Sequence, residues 1–453
     1  MKFSITKNKI TFGVLLCMAA TTVKAQQTDS ANSTIKLPFA IAKEKRLPDD
    51  ELSEKKEGIY VTGVPDLSSD PVNGLGAGAE GSVFFNGKKN DPFFEYTPYR
   101  AELNVAVFVT TKSQQEIKLG LDIPYIFSTK WRLRAEAAYE VNPNLLYFGI
   151  NENSLKPLSY YTNNNPTNPL VNNASYSDYQ KNLVGNKFYY NTYTKKEAVL
   201  NISMERSFYE GRLRALIGYE IGSVDISTPL NDSSLLGKDA TAHKIKGDGN
   251  NIVSFAQVGL IYDTRDLETD PSKGSFAELT NELSLMALGS QYNFNKTFFH
   301  YNLYMPILPK IFKRLTFAGR VAMGYTQGDA PFYEYQDEWS SEGSIEGLGG
   351  GTTLRGYKQS RFLARVMGFS NFELRWRFVQ CNIFKQHLAF SAVPFFDAGG
   401  VWDDLSRLNH TENLRYSEGL GLRIAWNVNT ILRFDYAVSQ EDHQFFFSLG
   451  HAF

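Results

Sequence analysis

Residues 131–140 read WRLRAEAAYE and form the clearest alternating pattern in the chain. The odd-numbered positions are apolar, from Trp131 to Tyr139, whereas four of the five even-numbered positions are Arg or Glu. Successive side chains of a β-strand point to opposite faces, so this segment has one apolar and one charged face. The alternation recurs at 372–378 (FELRWRF) and 420–426 (LGLRIAW). The sequence therefore predicts a protein built mainly of amphipathic strands.

The composition excludes several classes of protein. Of the 453 residues, 21% are charged, which is too many for a bundle of membrane-spanning helices. No run of 18 apolar residues follows residue 25, so no transmembrane helix is predicted in that part of the chain. Hydrophobic residues (42%) and aromatic residues (14%) are too frequent for a disordered chain. A net charge of −1 provides no basic stripe, so we expect no nucleic-acid partner.

The first 25 residues have the features of a secretory signal peptide. Lys2, Lys7 and Lys9 precede a short apolar stretch, and Val23 and Ala25 suit the −3 and −1 positions of a cleavage site. The mature chain would keep one cysteine, Cys381, and could form no internal disulfide. We therefore expect a signal peptide at 1–25, a short periplasmic segment at 26–57 and a membrane domain at 58–453.

A chain without apolar helices can cross lipid only as a closed β-barrel, because an open sheet leaves its edge amides unpaired. The alternative is a large soluble β-sandwich, whose strands also alternate. The polar face of the strands is repeatedly Arg, Glu or Gly, which favours a hydrated, charge-paired lumen over a surface of mixed polar residues.

The spacing of the strands supports the barrel. About 16 strand candidates are present, and from the fifth onward their connections largely alternate between long and short. The long ones are 143–192, 223–250 and 328–363; the connection at 86–99 is an exception, longer than an inner turn should be. We predict an all-β fold, a 16-stranded antiparallel transmembrane β-barrel of the outer membrane of a Gram-negative bacterium.

Residues 347–357, GLGGGTTLRGY, resemble the sixth external loop of the bacterial surface antigen family. That superfamily contains BamA, TamA and the two-partner secretion transporters. The loop motif of the family is matched by Leu354, Arg355, Gly356 and Tyr357. Its FxDxG motif, in the thirteenth strand, is matched by Phe395, Asp397 and Gly399. Residues 262–266, YDTRD, are similar to the turn that precedes the ninth strand of the family.

The resemblance implies a role for these residues inside the barrel. The loop arginine of the family packs against the FxDxG segment, so we expect Arg355 to pair with Asp397. A guanidinium can bind a carboxylate through two parallel hydrogen bonds. The alternative places Arg355 in an exposed hairpin and Asp397 at a strand end. Phe453, on the same face as Phe445, Phe447 and Leu449, resembles the C-terminal targeting signal of outer-membrane barrels.

Residues 26–57 are too few for a POTRA domain, the periplasmic module that precedes the barrel in BamA-type proteins. The resemblance is therefore to a member of the family without POTRA domains. Because POTRA domains handle client proteins, their absence bears directly on function. The short N-terminal segment could plug the lumen or recruit a partner, and the sequence leaves both open.

No catalytic motif emerges from the sequence. None of the six histidines lies in an HExxH motif, and the sequence has no GxSxG and no phosphate loop. We therefore predict a protein that is not an enzyme and that has no metal site and no cofactor.

Two functions remain as hypotheses. The first is a barrel that inserts or translocates polypeptide or lipid through a weak seam between its first and last strands. The glycines at 74, 76, 78 and 81 are consistent with an edge that opens, although a tight bend would also need them. The second is a passive pore or a structural, partner-dependent subunit. Expected partners are outer-membrane lipids and the barrel assembly machinery during biogenesis; client polypeptides and a periplasmic protein are further candidates.

Overall fold

A computed structural model describes most of the chain after residue 35. The described residues are 36–70, 72–172, 174, 175, 178, 181, 190–228, 231–312, 314–383, 386–426 and 430–453. The predicted signal peptide at 1–25 lies outside them. No helix in these residues has the length and apolar character needed to cross a membrane.

Sixteen strands of the described chain form one antiparallel sheet in which each strand pairs with the next along the sequence. They are β1 (Gly58–Asp70), β2 (Gly74–Gly87), β3 (Ala101–Thr110), β4 (Gln115–Ile123), β5 (Trp131–Leu146), β6 (Thr192–Phe208), β7 (Leu213–Ser227), β8 (Gly249–Asp263), β9 (Gly274–Ser284), β10 (Phe294–Pro306), β11 (Leu315–Gly328), β12 (Val366–Ile383), β13 (Gln386–Trp402), β14 (Arg415–Trp426), β15 (Thr430–Ser439) and β16 (His443–Leu449). The prediction of an all-β, 16-stranded antiparallel barrel is confirmed.

The wall is apolar outside and charged inside. On β7, Ile217 and Tyr219 are exposed (55% and 43%), whereas Arg214 and Leu216, on the opposite face, are buried. The same holds around the sheet, where many charged side chains are buried among one another. They are Glu205, Arg214, Glu278, Glu282, Lys296, Arg320, Glu373, Asp397, Arg423 and Asp435. A β-sandwich would bury its apolar face instead, so this arrangement excludes the soluble alternative.

The two ends of the barrel differ. We call the end with the long connections the outer end and the end with the short turns the inner end. Residues 209–212, between β6 and β7, make a short inner turn, and residues 264–273 connect β8 to β9 at the same end. The connection 88–100, between β2 and β3, also lies at the inner end and is as long as the sequence indicated.

Loops pack on one another at the outer end. Residues 147–191 include a two-stranded sheet of Tyr160–Tyr161 and Leu170–Val171, and a second loop contains helix α2 (Leu235–Thr241). The β11–β12 loop, 329–365, contains a two-stranded sheet of Asp337–Glu338 and Ile345–Glu346. One apolar cluster joins these three loops to the wall. Its buried members include Tyr147, Tyr193, Leu236, Ile245, Phe255, Phe332 and Tyr333.

The barrel is nearly closed, and β1 and β16 are its edges. Within the described residues, no backbone ladder joins these two strands, although every other neighbouring pair is hydrogen-bonded. β16 has only seven residues and pairs with β15, whereas β1 has thirteen and pairs with β2. The sheet therefore has one seam. A short helix, α1 (Asp49–Glu54), precedes β1 at the inner end.

The glycines of the second strand do not lie at this edge. Gly76, Gly78 and Gly81 belong to β2, which is paired on both sides. A methyl group at Gly78 would lie 2.9 Å from Cα of Phe108, so glycine is required there by close backbone approach.

Candidate functional site

Arg355 binds Asp397 in the lumen. Its Nε donates to Oδ2 and its Nη2 to Oδ1, both at 2.8 Å, which is a two-point contact. The backbone N–H of Arg355 also donates to Asp397 Oδ2, at 3.2 Å. Both side chains are fully buried, and the guanidinium lies 3.5 Å from the ring centre of Phe395. The β11–β12 loop, which we call the sixth loop, therefore reaches the wall through Arg355.

Two further carboxylates from the wall complete the site. Arg355 Nη1 donates to Glu373 on β12 at 2.7 Å and to Asp435 on β15 at 3.0 Å. Arg423 on β14 also binds both Glu373 and Asp435, and Arg375 Nε donates to Glu373 at 2.8 Å. Asp397, Glu373 and Asp435 thus face three guanidinium groups. We call these six residues the lumen charge cluster.

The balance of charge in this cluster explains why it can be buried. An isolated ion in a low-dielectric interior is costly, whereas ions that satisfy one another's hydrogen bonds can be accommodated. Arg355 is the member contributed by the loop, and the other five project from the strands β12 to β15. Withdrawal of the loop would therefore leave three carboxylates and two guanidinium groups in the cluster.

A second contact holds the loop backbone. Asn371 Nδ2 donates to the carbonyl of Thr353 at 2.6 Å and to Asp397 at 2.8 Å. Arg320 binds Asn371 Oδ1 and the carbonyl of Thr352. The loop is thus fixed through its main chain on both β11 and β12, in addition to the Arg355 side chain.

The local sequence fits the loop closely against the wall. Gly356 has φ +89°, and a methyl group there would lie 3.0 Å from the carbonyl carbon of Val438 on β15. A side chain at Gly399 on β13 would meet Leu348 at 2.5 Å. Leu354 and Tyr357 are buried in an apolar cluster that also contains Leu348. Glycine at 356 and 399 is therefore needed for close approach, and Leu354 and Tyr357 supply apolar anchors.

The sixth loop also holds the last hairpin at the outer end. Arg361, fully buried, binds Glu441 at 2.8 Å and the carbonyl of Ser154 at 2.5 Å. Ser439 Oγ donates to the carbonyl of Gly356 at 2.7 Å. Lys358 lies 3.7 Å from Asp442. The end of β15 and the turn that precedes the edge strand β16 are thus tied to the loop.

The sequence suggested that Phe453 continues the amphipathic face of β16, but the structure places it elsewhere. The strand ends at Leu449, and Gly450 follows with φ +80°. The ring of Phe453 lies 4.9 Å from the guanidinium of Arg320 and 5.1 Å from that of Arg375, which donates to the Phe453 carbonyl at 2.8 Å. Contacts with lumen arginines turn the terminal residues inward, away from the face that carries Phe445.

Sequence reasoning brought Arg355 and Asp397 together but missed their other partners. The alternating pattern had placed Glu373 and Arg423 on a polar face, yet contacts between distant strands depend on barrel register. Neither Arg361 nor Glu441 lies in a recognised motif, so the sequence did not indicate their contact. Within the described residues, no group of three or more His, Cys, Asp or Glu side chains could hold a metal ion. The site is therefore a buried cluster of ion pairs that joins the sixth loop to the barrel wall.

Comparisons with known proteins agree with this fold. A model described as the Omp85 superfamily domain matches residues 97–453, and a domain of unknown function (DUF5982) matches residues 37–100. The outer membrane protein assembly factor BamA of Nitratidesulfovibrio vulgaris is 28% identical over 255 residues, 52% of this chain. That match covers 30% of the relative, so the chain spans less than a third of its length.

Solved structures are similar to this chain at low sequence identity. CdiB from Escherichia coli aligns with a TM-score of 0.52 and 11% identity, over 86% of this chain and 62% of that chain. BamA from Haemophilus ducreyi lacking POTRA domains 1–3 aligns with a TM-score of 0.48 and 14% identity, over 87% of this chain and 70% of that chain.

Proposed function

The chain belongs to the Omp85 superfamily, and from this premise we propose that it inserts or translocates polypeptide, or lipid, through the seam between β1 and β16. The protein is an outer-membrane β-barrel. In the proposed orientation the inner end faces the periplasm. The proposed clients are outer-membrane polypeptides, and the barrel assembly machinery is the proposed partner during biogenesis.

The observation that carries the proposal is the unpaired seam. Edge strands expose rows of backbone N–H and C=O groups, which are costly to leave unpaired in lipid. An incoming strand could satisfy these groups by pairing with β1 or β16. Side-chain contacts reach across the seam from β1, where Thr62 lies 3.4 Å from Thr430 on β15, beyond the end of β16, and Tyr60 lies 3.2 Å from Gln386 on β13. Such contacts are much weaker than a continuous ladder.

The lumen favours this function over a passive pore. The sixth loop lies in the lumen, where Arg355 and its partners are buried, and an apolar cluster of three loops lies at the outer end. A permanently open pore needs a continuous water-filled path, whereas here the loop and its partners on the wall are buried against one another. Passage sideways through the seam would not require these contacts to be removed along the whole lumen.

Depletion of the protein in its native host tests the proposal. We expect the levels of other outer-membrane barrels to fall and to recover when the wild-type chain is supplied. The purified protein in a planar bilayer should remain closed for most of the recording. Normal barrel levels together with a steady open conductance would overturn the proposal and favour the passive pore.

A further inference from the structure

Residues 37–57 run across the inner mouth of the barrel; we call this segment the strap. Phe39 packs on Tyr125 in the β4–β5 turn, and the backbone N–H of Ala42 donates to the carbonyl of Glu210 in the β6–β7 turn at 2.9 Å. Glu51 lies 3.3 Å from Arg314, next to β11. The strap meets these turns in their order around the rim, and its middle also meets Glu95 of the β2–β3 connection, so it lies between separate parts of the inner mouth.

Ion pairs fix the strap to the rim. Lys45 Nζ lies 2.9 Å from Asp263 at the end of β8, with only 12% of the lysine side chain exposed. Glu44 pairs with Arg212. Glu51, which is buried, lies 3.6 Å from Arg377 in addition to its contact with Arg314. Acidic and basic residues of the strap therefore each meet an opposite charge on a different part of the rim.

Apolar contacts accompany these pairs. Leu47 is 3% exposed and packs with Leu267 from the β8–β9 connection and with Leu52 of α1. Ala42 is also buried. The strap thus has buried anchors in its middle, as a segment that stays docked in the resting protein requires.

The strap explains the unusually long β2–β3 connection. Arg46 binds Glu95 at 2.7 Å, and the N–H of Leu47 donates to the carbonyl of Glu95 at 2.8 Å. Lys55 Nζ donates to the carbonyls of Phe94 and Thr97 at 2.5 and 2.7 Å. The additional residues of this connection form the cradle in which the strap lies.

The strap is continuous with one edge of the seam. β1 begins at Gly58, immediately after Glu57, so displacement of the strap acts directly on that edge strand. The domain of unknown function matches residues 37–100, which comprise the strap, the β1–β2 hairpin and the cradle. These parts coincide with one recognisable sequence unit.

We propose that the strap is an autoinhibitory gate, which closes the inner mouth and holds β1 at the seam until it is displaced. This inference rests on the proposed function, because it assigns the strap a role in regulating that same seam. Displacement would open the mouth and free the N-terminal end of β1 together.

Single-channel recording in a planar bilayer tests the gate. In K45Q/E51Q, both substitutions remove a charge while the side chains remain polar. We expect the open fraction to rise about tenfold or more over wild type, because the two changes remove the ion pairs that join the strap to Asp263 and Arg377, which keep their other partners on the wall. K43Q is the matched control, since Lys43 is exposed on the same segment, and it should behave as wild type. An unchanged open fraction in correctly folded K45Q/E51Q would overturn the inference.

A cysteine lock gives the converse test. In A42C/E210C/C381S the new pair joins the strap to the β6–β7 turn where their backbones are hydrogen-bonded. Oxidation should hold the barrel closed and block rescue of the depleted host, and reduction should restore rescue. If the oxidised lock rescues fully, the gate is wrong while the seam function stands. If depletion leaves barrel levels normal but the strap variants still alter conductance, the proposed function fails and the gate stands.

Discussion

Arg361 of the sixth loop forms a buried ion pair with Glu441 at the tip of the β15–β16 hairpin, with 2.8 Å between Nε and Oε2. The pair connects two parts of the chain that are eighty residues apart. The ion pair joins the turn before the edge strand β16 to a loop that Arg355 also fixes to the wall. We therefore expect the position of β16 to depend on the position of the loop.

R361Q should loosen the last hairpin while the rest of the wall stays intact. The substitution removes the charge partner of Glu441 and the donor to the carbonyl of Ser154. We expect faster hydrogen–deuterium exchange in β16 and unchanged exchange in β7. R407Q is the control, because Arg407 forms an ion pair with Glu152 at an exposed site. Equal exchange of β16 in R361Q and wild type would show that the pair does not restrain the hairpin.

R355A should destabilise the folded barrel by about 3–5 kcal/mol, the cost typical of an ion removed from a buried pair. Within the lumen charge cluster, three fully buried carboxylates would be left with two guanidiniums. Urea unfolding in lipid vesicles, followed by the electrophoretic shift of folded barrels, measures the change. R365A, at an exposed site near the end of the same loop, should stay close to wild type. Similar midpoints for R355A and R365A would contradict the assigned role of the charge cluster.

G356A and G343A separate backbone strain from close packing. Both glycines have positive φ, +89° and +116°, so alanine is strained at either site. At Gly343 nothing lies within 4 Å of the added methyl, whereas at Gly356 Val438 lies at 3.0 Å. We expect G356A to cost about 1–3 kcal/mol more than G343A in the same unfolding assay. Equal losses would mean that the loop does not press on β15.

Docking of the strap should strengthen as pH rises. Burial lowers the pKa of Lys55 to about 7, with Arg100 lowering it further and Asp91 opposing the shift. The free strap would carry a lysine of ordinary pKa, so between about pH 7 and 10.5 the undocked state binds more protons, and docking gains up to about tenfold per pH unit. Below about pH 7 Lys55 is protonated in both the docked and the undocked strap, so its contribution to docking no longer changes with pH.

Spin labels on the strap and on the β6–β7 turn measure the docked fraction across this pH range. The dependence should be smaller in K55M, which keeps a long apolar side chain and cannot titrate. Some dependence should remain, because burial also lowers the pKa values of Lys45 and Lys56 on the same strap. A dependence of the same size in K55M would assign the effect to another group.

Local patterns in the sequence predict the strands well and the contacts between them poorly. The alternation at 131–140 fixes which side chains face the lumen, because it depends only on neighbouring residues. The meeting of Arg355 with Glu373 and Asp435 depends on register around the whole barrel. The resemblance to a family supplied the pairing of Arg355 with Asp397 only.

The sequence did not predict two other features, because they too depend on contacts between distant parts of the chain. The position of Phe453 follows from lumen arginines far away in sequence, so the pattern of β16 alone suggested a continued strand. The strap has neither strong periodicity nor a motif, and its contacts are with residues from six different parts of the chain. In the sequence, the only related observation was the unusual length of the connection at 88–100. The contacts of Arg46 with Glu95 and of Lys55 with Phe94 and Thr97 show that this connection binds the strap.

A disulfide across the seam tests the central claim most directly. T62C/T430C/C381S joins β1 to β15 at the 3.4 Å hydroxyl contact, and S82C/N104C/C381S places a matched pair within the β2–β3 ladder. In the depleted host, the oxidised seam variant should fail to restore the levels of other outer-membrane barrels and should recover on reduction, while the ladder variant restores them in both states. Full restoration by the oxidised seam variant would contradict lateral passage between β1 and β16.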